Sequence, residues 1–177
     1  MAEDRERFER IYRENFRAVG RFAAARIDPD RAKDVAAETF LVAWRRLDDV
    51  PEEPRAWLLG VARKVIAGQF RSEMRRGALM LRLEGEREGD TDLATDVTER
   101  EETLAAFAQL RERDREALRL VAWDGLDLGQ AAEVLGITKL AFSVRIHRAR
   151  RRLASALETD AELSAPPKPR RQADARS

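Results

Sequence analysis

Apolar residues in this chain recur three and four positions apart through most of its length, and no segment alternates apolar and polar residues as a half-buried strand must. A period near 3.6 residues places such positions on one face of an α-helix, so the chain is committed to helices that each hide one stripe. Phe8, Ile11, Tyr12, Val19, Phe22 and Ala23 mark the first of them. Asp28-Pro29-Asp30 supplies a cap and a first-turn proline, and Val35, Ala36, Phe40, Ala43, Trp44 and Leu47 continue the period, which predicts a second helix over roughly 30–47. Residues 48–54 carry two prolines and no period, so they are expected to form an ordered loop. Pro54 then starts a third helix with Trp57, Leu58, Val61, Ala62, Val65, Ile66 and Phe70 along its stripe.

The second half repeats the pattern in shorter pieces. Leu104, Phe107 and Leu110, then Leu118, Val121 and Ala122, lead to Asp124-Gly125, where glycine can end a helix in the left-handed conformation. Asp127 with Gln130 three residues on reads as a capping box for a short helix that Gly136 stops. Thr138 caps the next helix, with Phe142, Ile146, Ala149 and Leu153 facing inward. A short helix, a glycine turn and a basic helix make a helix-turn-helix. Between the halves, carboxylates from Glu84 to Glu102 dominate and read as an acidic linker, and the Pro/Arg-rich segment after about Glu158 has too few apolar residues to order itself. The expected fold is therefore all-α, with two small helical domains, 1–77 and 103–157, an acidic flexible linker over 78–102 and a disordered tail over 158–177.

Charged residues make up 38% of the chain, yet the formal net charge is only +1, so the charge lies in blocks. Arg63, Lys64, Arg71, Arg75 and Arg76 load the end of the third helix, and Lys139, His147, Arg148, Arg151 and Arg152 load the last one. There is no cysteine, and His147 is the single histidine, so no thiolate or histidine cluster is available to hold a metal and no Ser-His or Cys-His pair is in prospect as a catalytic site. No glycine-rich phosphate loop is present, and no cofactor is expected. No apolar run approaches the roughly 20 residues needed to cross a bilayer, which points to a cytoplasmic protein without membrane contact of its own. Clustered arginines on a helix-turn-helix leave nucleic acid as the partner that this chemistry fits.

Several segments carry more specific information. Asp34-Val35-Ala36-Ala37-Glu38-Thr39-Phe40-Leu41-Val42-Ala43-Trp44 resembles the pattern D-L-V-Q-E-T-F-L-x-x-W, and Trp57-Leu58-Leu59-Gly60-Val61-Ala62-Arg63 resembles W-L-x-x-I-A-R. Asp124-Gly125-Leu126, Ala131-Ala132-Glu133-Val134-Leu135-Gly136 and His147-Arg148-Ala149-Arg150 resemble a helix-turn-helix that ends H-R-A-R. In this order they resemble the extracytoplasmic-function sigma factors of bacterial RNA polymerase, over roughly residues 7–157.

The resemblance implies that 1–77 is a region 2-like domain and 103–157 a region 4-like domain. It implies that Asp34, Glu38, Phe40 and Trp44 contact core RNA polymerase, whose largest and second-largest subunits would be partners. It further implies that the loop from Asp48 to Arg55 receives a flipped base of promoter DNA, with Arg63, Lys64, Arg71, Arg75 and Arg76 on the minus-10 element. Lys139, Ser143, Val144, His147, Arg148, Arg151 and Arg152 would face the minus-35 element, with a thymine methyl against Val144. An anti-sigma factor clamped between the two domains would be a further partner, and the linker would run toward the RNA exit path. Ala37, Lys64 and Gly68 stand where relatives commonly carry Gln, Asn and Asp, and Leu140-Ala141-Phe142-Ser143-Val144 stands in place of G-T-V-K-S. A stand-alone helix-turn-helix regulator is the alternative, and a protein-only adaptor ranks after it.

Overall fold

The computed structural model describes the backbone of residues 2–80 and 98–164, and side chains over 2–72 and 104–158. Every regular element among these residues is helical. Helix α1 spans Ala2–Ala24, α2 Pro29–Arg45 and α3 Pro54–Met80, and a single 3₁₀ turn, Leu47–Asp49, follows α2. After the undescribed segment come α4 (Thr98–Gln109), α5 (Glu112–Ala122), α6 (Leu128–Leu135) and α7 (Lys139–Ser164).

Local sequence signals set most of these ends. Asp28 accepts the Arg31 amide with Pro29 in the first turn of α2, as its sequence predicts. Asp127 and Gln130 form both halves of a capping box, and the amides of Gln130 and Gly129 hold the Asp127 carboxyl below the usual carboxylate range. Gly125 and Gly136 both sit at φ 65°, the conformation that ends α5's turn and α6 without a Cβ penalty. Thr138 Oγ1 accepts the Ala141 amide at the start of α7.

Three boundaries differ from expectation. Helix α3 runs through Gly77 to Met80, α4 begins at Thr98 inside the stretch expected to be linker, and α7 continues past 157 to Ser164. Helix propagation adds one hydrogen bond per residue once a nucleus exists, so a packed helix extends into flanking residues that have no stop signal. The apolar positions from Leu104 to Leu110 and from Leu118 to Ala122 fall on two helices, broken at Leu110-Arg111, where Arg111 is extended. Linker residues 81–97 and tail residues 165–177 lie outside the described part.

Helices α1, α2 and α3 form a three-helix unit around Val19, Phe22, Val35, Phe40, Leu58 and Ala62. Helices α4 to α7 form a second unit around Leu118, Leu120, Val134, Phe142 and Ile146. The two are not separate bodies on a string. Helix α6 lies directly on α3, and the buried residues of both units join one continuous hydrophobic cluster. The seam runs through Gly60, where an added Cβ would come 3.8 Å from Val134 Cα. Helix α3 is thus covered by α1 and α2 on one side and by α6 on the other, which explains why its apolar residues are spread wider than one stripe.

Candidate nucleic-acid and protein interfaces

The outward face of α2 carries Asp34, Ala37, Glu38, Leu41, Trp44 and Arg45, all exposed, while Val35, Ala36, Thr39, Phe40 and Ala43 turn inward. Trp44 is 46% exposed and Leu41 equally so, an unusual surface for two large apolar side chains. Trp44 is nevertheless fixed, because the Phe8 ring of α1 meets it edge-on at 5.1 Å. Phe8, Tyr12, Phe16, Phe40 and Trp44 form one aromatic array across α1 and α2, with Tyr12 and Phe16 also about 40% exposed. Of the four residues expected to dock on a partner, Asp34, Glu38 and Trp44 are on the surface. Phe40, at 3% exposure, is a core residue that supports the surface from below, 4.7 Å from the Tyr12 ring. The spacing in sequence could not separate Phe40 from Trp44, because four residues apart they are neighbours along α2, and only the packing of α1 decides which is covered.

The loop after α2 is ordered, as expected. Leu47 and Val50 are buried, and the Arg7 guanidinium donates to the Val50 carbonyl at 2.6 Å. Apart from Pro51 its exposed side chains are acidic: Asp48, Asp49, Glu52 and Glu53, with Asp49 ion-paired to Arg46 at 2.8 Å. Arg55, expected to close the loop, is instead the second residue of α3 and donates to the Asp124 carbonyl of the second unit. On α3, Arg63, Lys64 and Arg71 are exposed. Arg63 lines a groove between the units with Arg26, Arg113, Arg115, Arg119 and Arg145, whereas Lys64 lines a groove between α2 and α3 with Asp34 and Glu38. The side chains of Arg75 and Arg76 lie outside the described residues.

The second unit presents α7 as a basic helix. Leu140, Val144, His147 and Arg151, spaced four, three and four, are all exposed on one face, with Arg148 at its flank and Lys139 at its start. Two residues expected on this surface have other partners. Ser143 is half-buried, and its hydroxyl donates to the Lys139 carbonyl at 2.9 Å. Arg152 pairs with Asp114, a carboxylate only 6% exposed on α5, and so ties α5 to α7. Arg152→Ala is expected to lower the unfolding free energy by about 1–3 kcal/mol, the usual penalty for leaving a buried acceptor unpaired, without changing base preference. Parallel melts and binding curves check this; a variant that melts normally but binds DNA weakly would return Arg152 to the nucleic-acid surface.

Four features of these surfaces escaped the sequence. Leu140, 76% exposed, heads the α7 stripe, and Leu41 joins Trp44 on α2. Leu104 and Trp123, 49% and 61% exposed, flank the half-buried Phe107 in an apolar patch on α4 and α5, the Phe107 and Trp123 rings 5.5 Å apart. Arg26 is the fourth. Its side chain is 7% exposed and stacks 3.6 Å from the Phe22 ring, donating to Asp124 at 2.8 Å, to Glu116 at 3.2 Å and to the Phe22 carbonyl at 2.9 Å. No spacing rule pairs an arginine with carboxylates 90 and 98 residues away, so nothing in the sequence announced it.

Comparison with known proteins agrees with this division. The family model described as Sigma-70 region 2 matches residues 8–76, and the one described as Sigma-70, region 4 matches residues 100–153. The chain is 32% identical over 145 residues to the RNA polymerase sigma factor CnrH of Cupriavidus metallidurans, covering 73% of this chain and 74% of that one. It is 34% identical to the probable RNA polymerase sigma-C factor of Mycobacterium bovis, covering 80% and 78%. Among solved structures, CnrH in complex with the cytosolic domain of CnrY superposes with a TM-score of 0.58 at 25% identity, covering 86% of this chain and 88% of that chain. The fold is also that of the sigma factor RpoE in complex with the anti-sigma factor NepR from Bartonella quintana, with a TM-score of 0.64 at 24% identity over 86% and 98% of the two chains.

Proposed function

The chain belongs to the extracytoplasmic-function group of the sigma-70 family, and from that premise we propose how its surfaces divide the work of an RNA polymerase sigma factor. It binds core polymerase and recognises promoter DNA for transcription initiation. The outward face of α2, with Asp34, Glu38, Leu41 and Trp44, docks on the largest polymerase subunit, and the patch of Leu104, Phe107 and Trp123 on the second-largest. Lys64 and Arg71, joined by Arg63 once the groove between the units opens, hold phosphates of the minus-10 element; Arg75 and Arg76 share that role by the family pattern. Helix α7 enters the major groove at the minus-35 element with Val144, His147 and Arg148 toward the bases and Lys139 and Arg151 toward phosphates. The role is non-catalytic and cytoplasmic, at the polymerase; no helix among the described residues is long and apolar enough to cross a membrane.

The observation that carries this reading is the exposed stripe of α7 behind a fully built glycine turn and two capped helix starts. The exposed α2 face is what favours a polymerase subunit over a stand-alone regulator, which would have no use for it. Arg148→Ala is expected to relax preference at one minus-35 position by about 1–3 kcal/mol, whereas Arg71→Ala weakens binding evenly across sequences and lowers the salt slope by about one. Equal loss from both variants on every sequence would remove the base-reading role of Arg148.

An anti-sigma factor is proposed as a partner, since RpoE of Bartonella quintana was solved with one. Helix α6 is seated on α3 at the seam of the two units, so an inhibitor lodged between those helices would first displace the chain's own contact.

A further inference from the structure

We infer that Leu140 reads the minus-35 element, together with Val144, by apolar contact with the C5-methyl groups of two neighbouring thymines. The inference rests on α7 lying in the major groove, as proposed above. Leu140 is the second residue of α7 and, at 76% exposure, the most exposed of the large apolar side chains described. The first residues of a recognition helix are the ones that reach base edges. Val144, 42% exposed, lies one turn on along the same line. Neither side chain has a donor or acceptor, and the nearby Ser143 hydroxyl proton is engaged by the Lys139 carbonyl. The amino, carbonyl and ring-nitrogen groups of the major groove would lose water against such a surface without gaining a partner. The thymine methyl is the one feature of that groove which an apolar side chain favours.

The charges around the pair decide for DNA over an apolar protein partner. Lys139, Arg148 and Arg151 surround Leu140 and Val144 on the exposed side of α7, with Lys139 and Arg151 placed for the phosphates that flank a major groove. Four helical residues advance about 6 Å, close to two base-pair steps of about 3.4 Å, so the two thymines fall within two or three consecutive base pairs.

The test uses the full chain bound to bacterial core RNA polymerase. Duplexes are selected from a randomised pool, and each upstream thymine of the selected sequence is then replaced singly by deoxyuridine, which removes only the C5 methyl. The expected result is two upstream positions within three consecutive base pairs at which deoxyuridine weakens binding about three- to six-fold, the value of a buried methyl. Leu140→Ala should erase the difference at one position and Val144→Ala at the other. Leu140→Gln should turn the preference at its position from thymine to adenine, the base a glutamine pairs through N6 and N7. Because Leu140 touches no core, helix content and melting should stay as in the parent chain.

Tolerance of deoxyuridine at every upstream thymine, an effect that persists undiminished in both alanine variants, or a selected upstream element without thymine overturns the assignment. A pool that yields no preferred upstream sequence at all overturns base reading by α7 itself, and this assignment with it.

Discussion

Replacing Arg26 by alanine is expected to release the helix-turn-helix unit from the three-helix unit while leaving both folded. Among the described residues the guanidinium is the cation paired with Asp124 and Glu116 at the seam, at 2.8 and 3.2 Å, and all three side chains are 14% exposed or less. Removing one partner of such a buried pair costs about 3–5 kcal/mol, because the stranded carboxylates stay dry only at the full price of desolvation. Opening the seam returns them to water. What opening gives up is the apolar contact of α6 on α3 and the bond from Arg55 to the Asp124 carbonyl, neither of which belongs to the core of either unit alone.

Small-angle scattering should therefore show a larger radius of gyration for Arg26→Ala with unchanged helical circular dichroism. Gly60→Phe attacks the same seam from the other side. Beyond a Cβ that already lies 3.8 Å from Val134, a ring has no room unless α6 moves away. If both variants scattered like the parent chain and merely melted earlier, Arg26 would be a stabilising residue and no latch. The seam bears on the proposed function because positions minus-10 and minus-35, as their names count them, lie roughly 25 base pairs and so about 85 Å of duplex apart. Helix α6 in contact with α3 cannot span that distance. On the proposed promoter reading initiation requires the open form, and a variant that populates it in advance should bind core polymerase more tightly, by the fraction of closed chain it removes.

Loss of polymerase binding is the second large effect, expected from Trp44→Ala and from Glu38→Arg. An exposed tryptophan braced by a neighbouring ring is the kind of residue that dominates an interface, and its truncation should weaken the complex by about 2–4 kcal/mol, roughly 30- to 1000-fold. Glu38, exposed one turn before Leu41 and nearly two before Trp44, gives a charge reversal on the same face. Phe40→Ala is the contrasting variant. It is buried, so its truncation should lower stability by about 3–5 kcal/mol and weaken polymerase binding only as far as the unit unfolds. Co-elution with core polymerase on size exclusion, beside thermal melts, separates the two cases. Normal co-elution of Trp44→Ala and Glu38→Arg would move the polymerase contact off α2.

Much of this molecule was legible in the sequence, for physical reasons that differ by residue. The caps at Asp28, Asp127 and Thr138 and the left-handed glycines 125 and 136 are local devices, each completed within a few residues, and each occurs where the spacing places it. The stripe on α7 was legible through Val144, His147 and Arg148, yet Leu140 was passed over because an apolar residue near a helix start reads as core until its neighbours are known. Arg152 showed the reverse. It looked like a phosphate ligand by charge, and only the approach of α5 revealed that Asp114 had claimed it.

The amino-acid sequence by itself determined an all-helical chain in two units, the ends of most helices, the helix-turn-helix and the family. All of these follow from interactions between residues a few positions apart or from motifs that persist as ordered strings. Tertiary structure alone decided that Phe40 is covered while Trp44 is not, that Arg55 and Arg26 serve the seam rather than a ligand, and that α6 rests on the very helix expected to hold promoter DNA. Those outcomes depend on burial between segments up to 98 residues apart. Hydrophobic and ionic burial reward whatever surfaces meet, and periodicity, which records only a residue's own helix, carries no trace of the surface it meets.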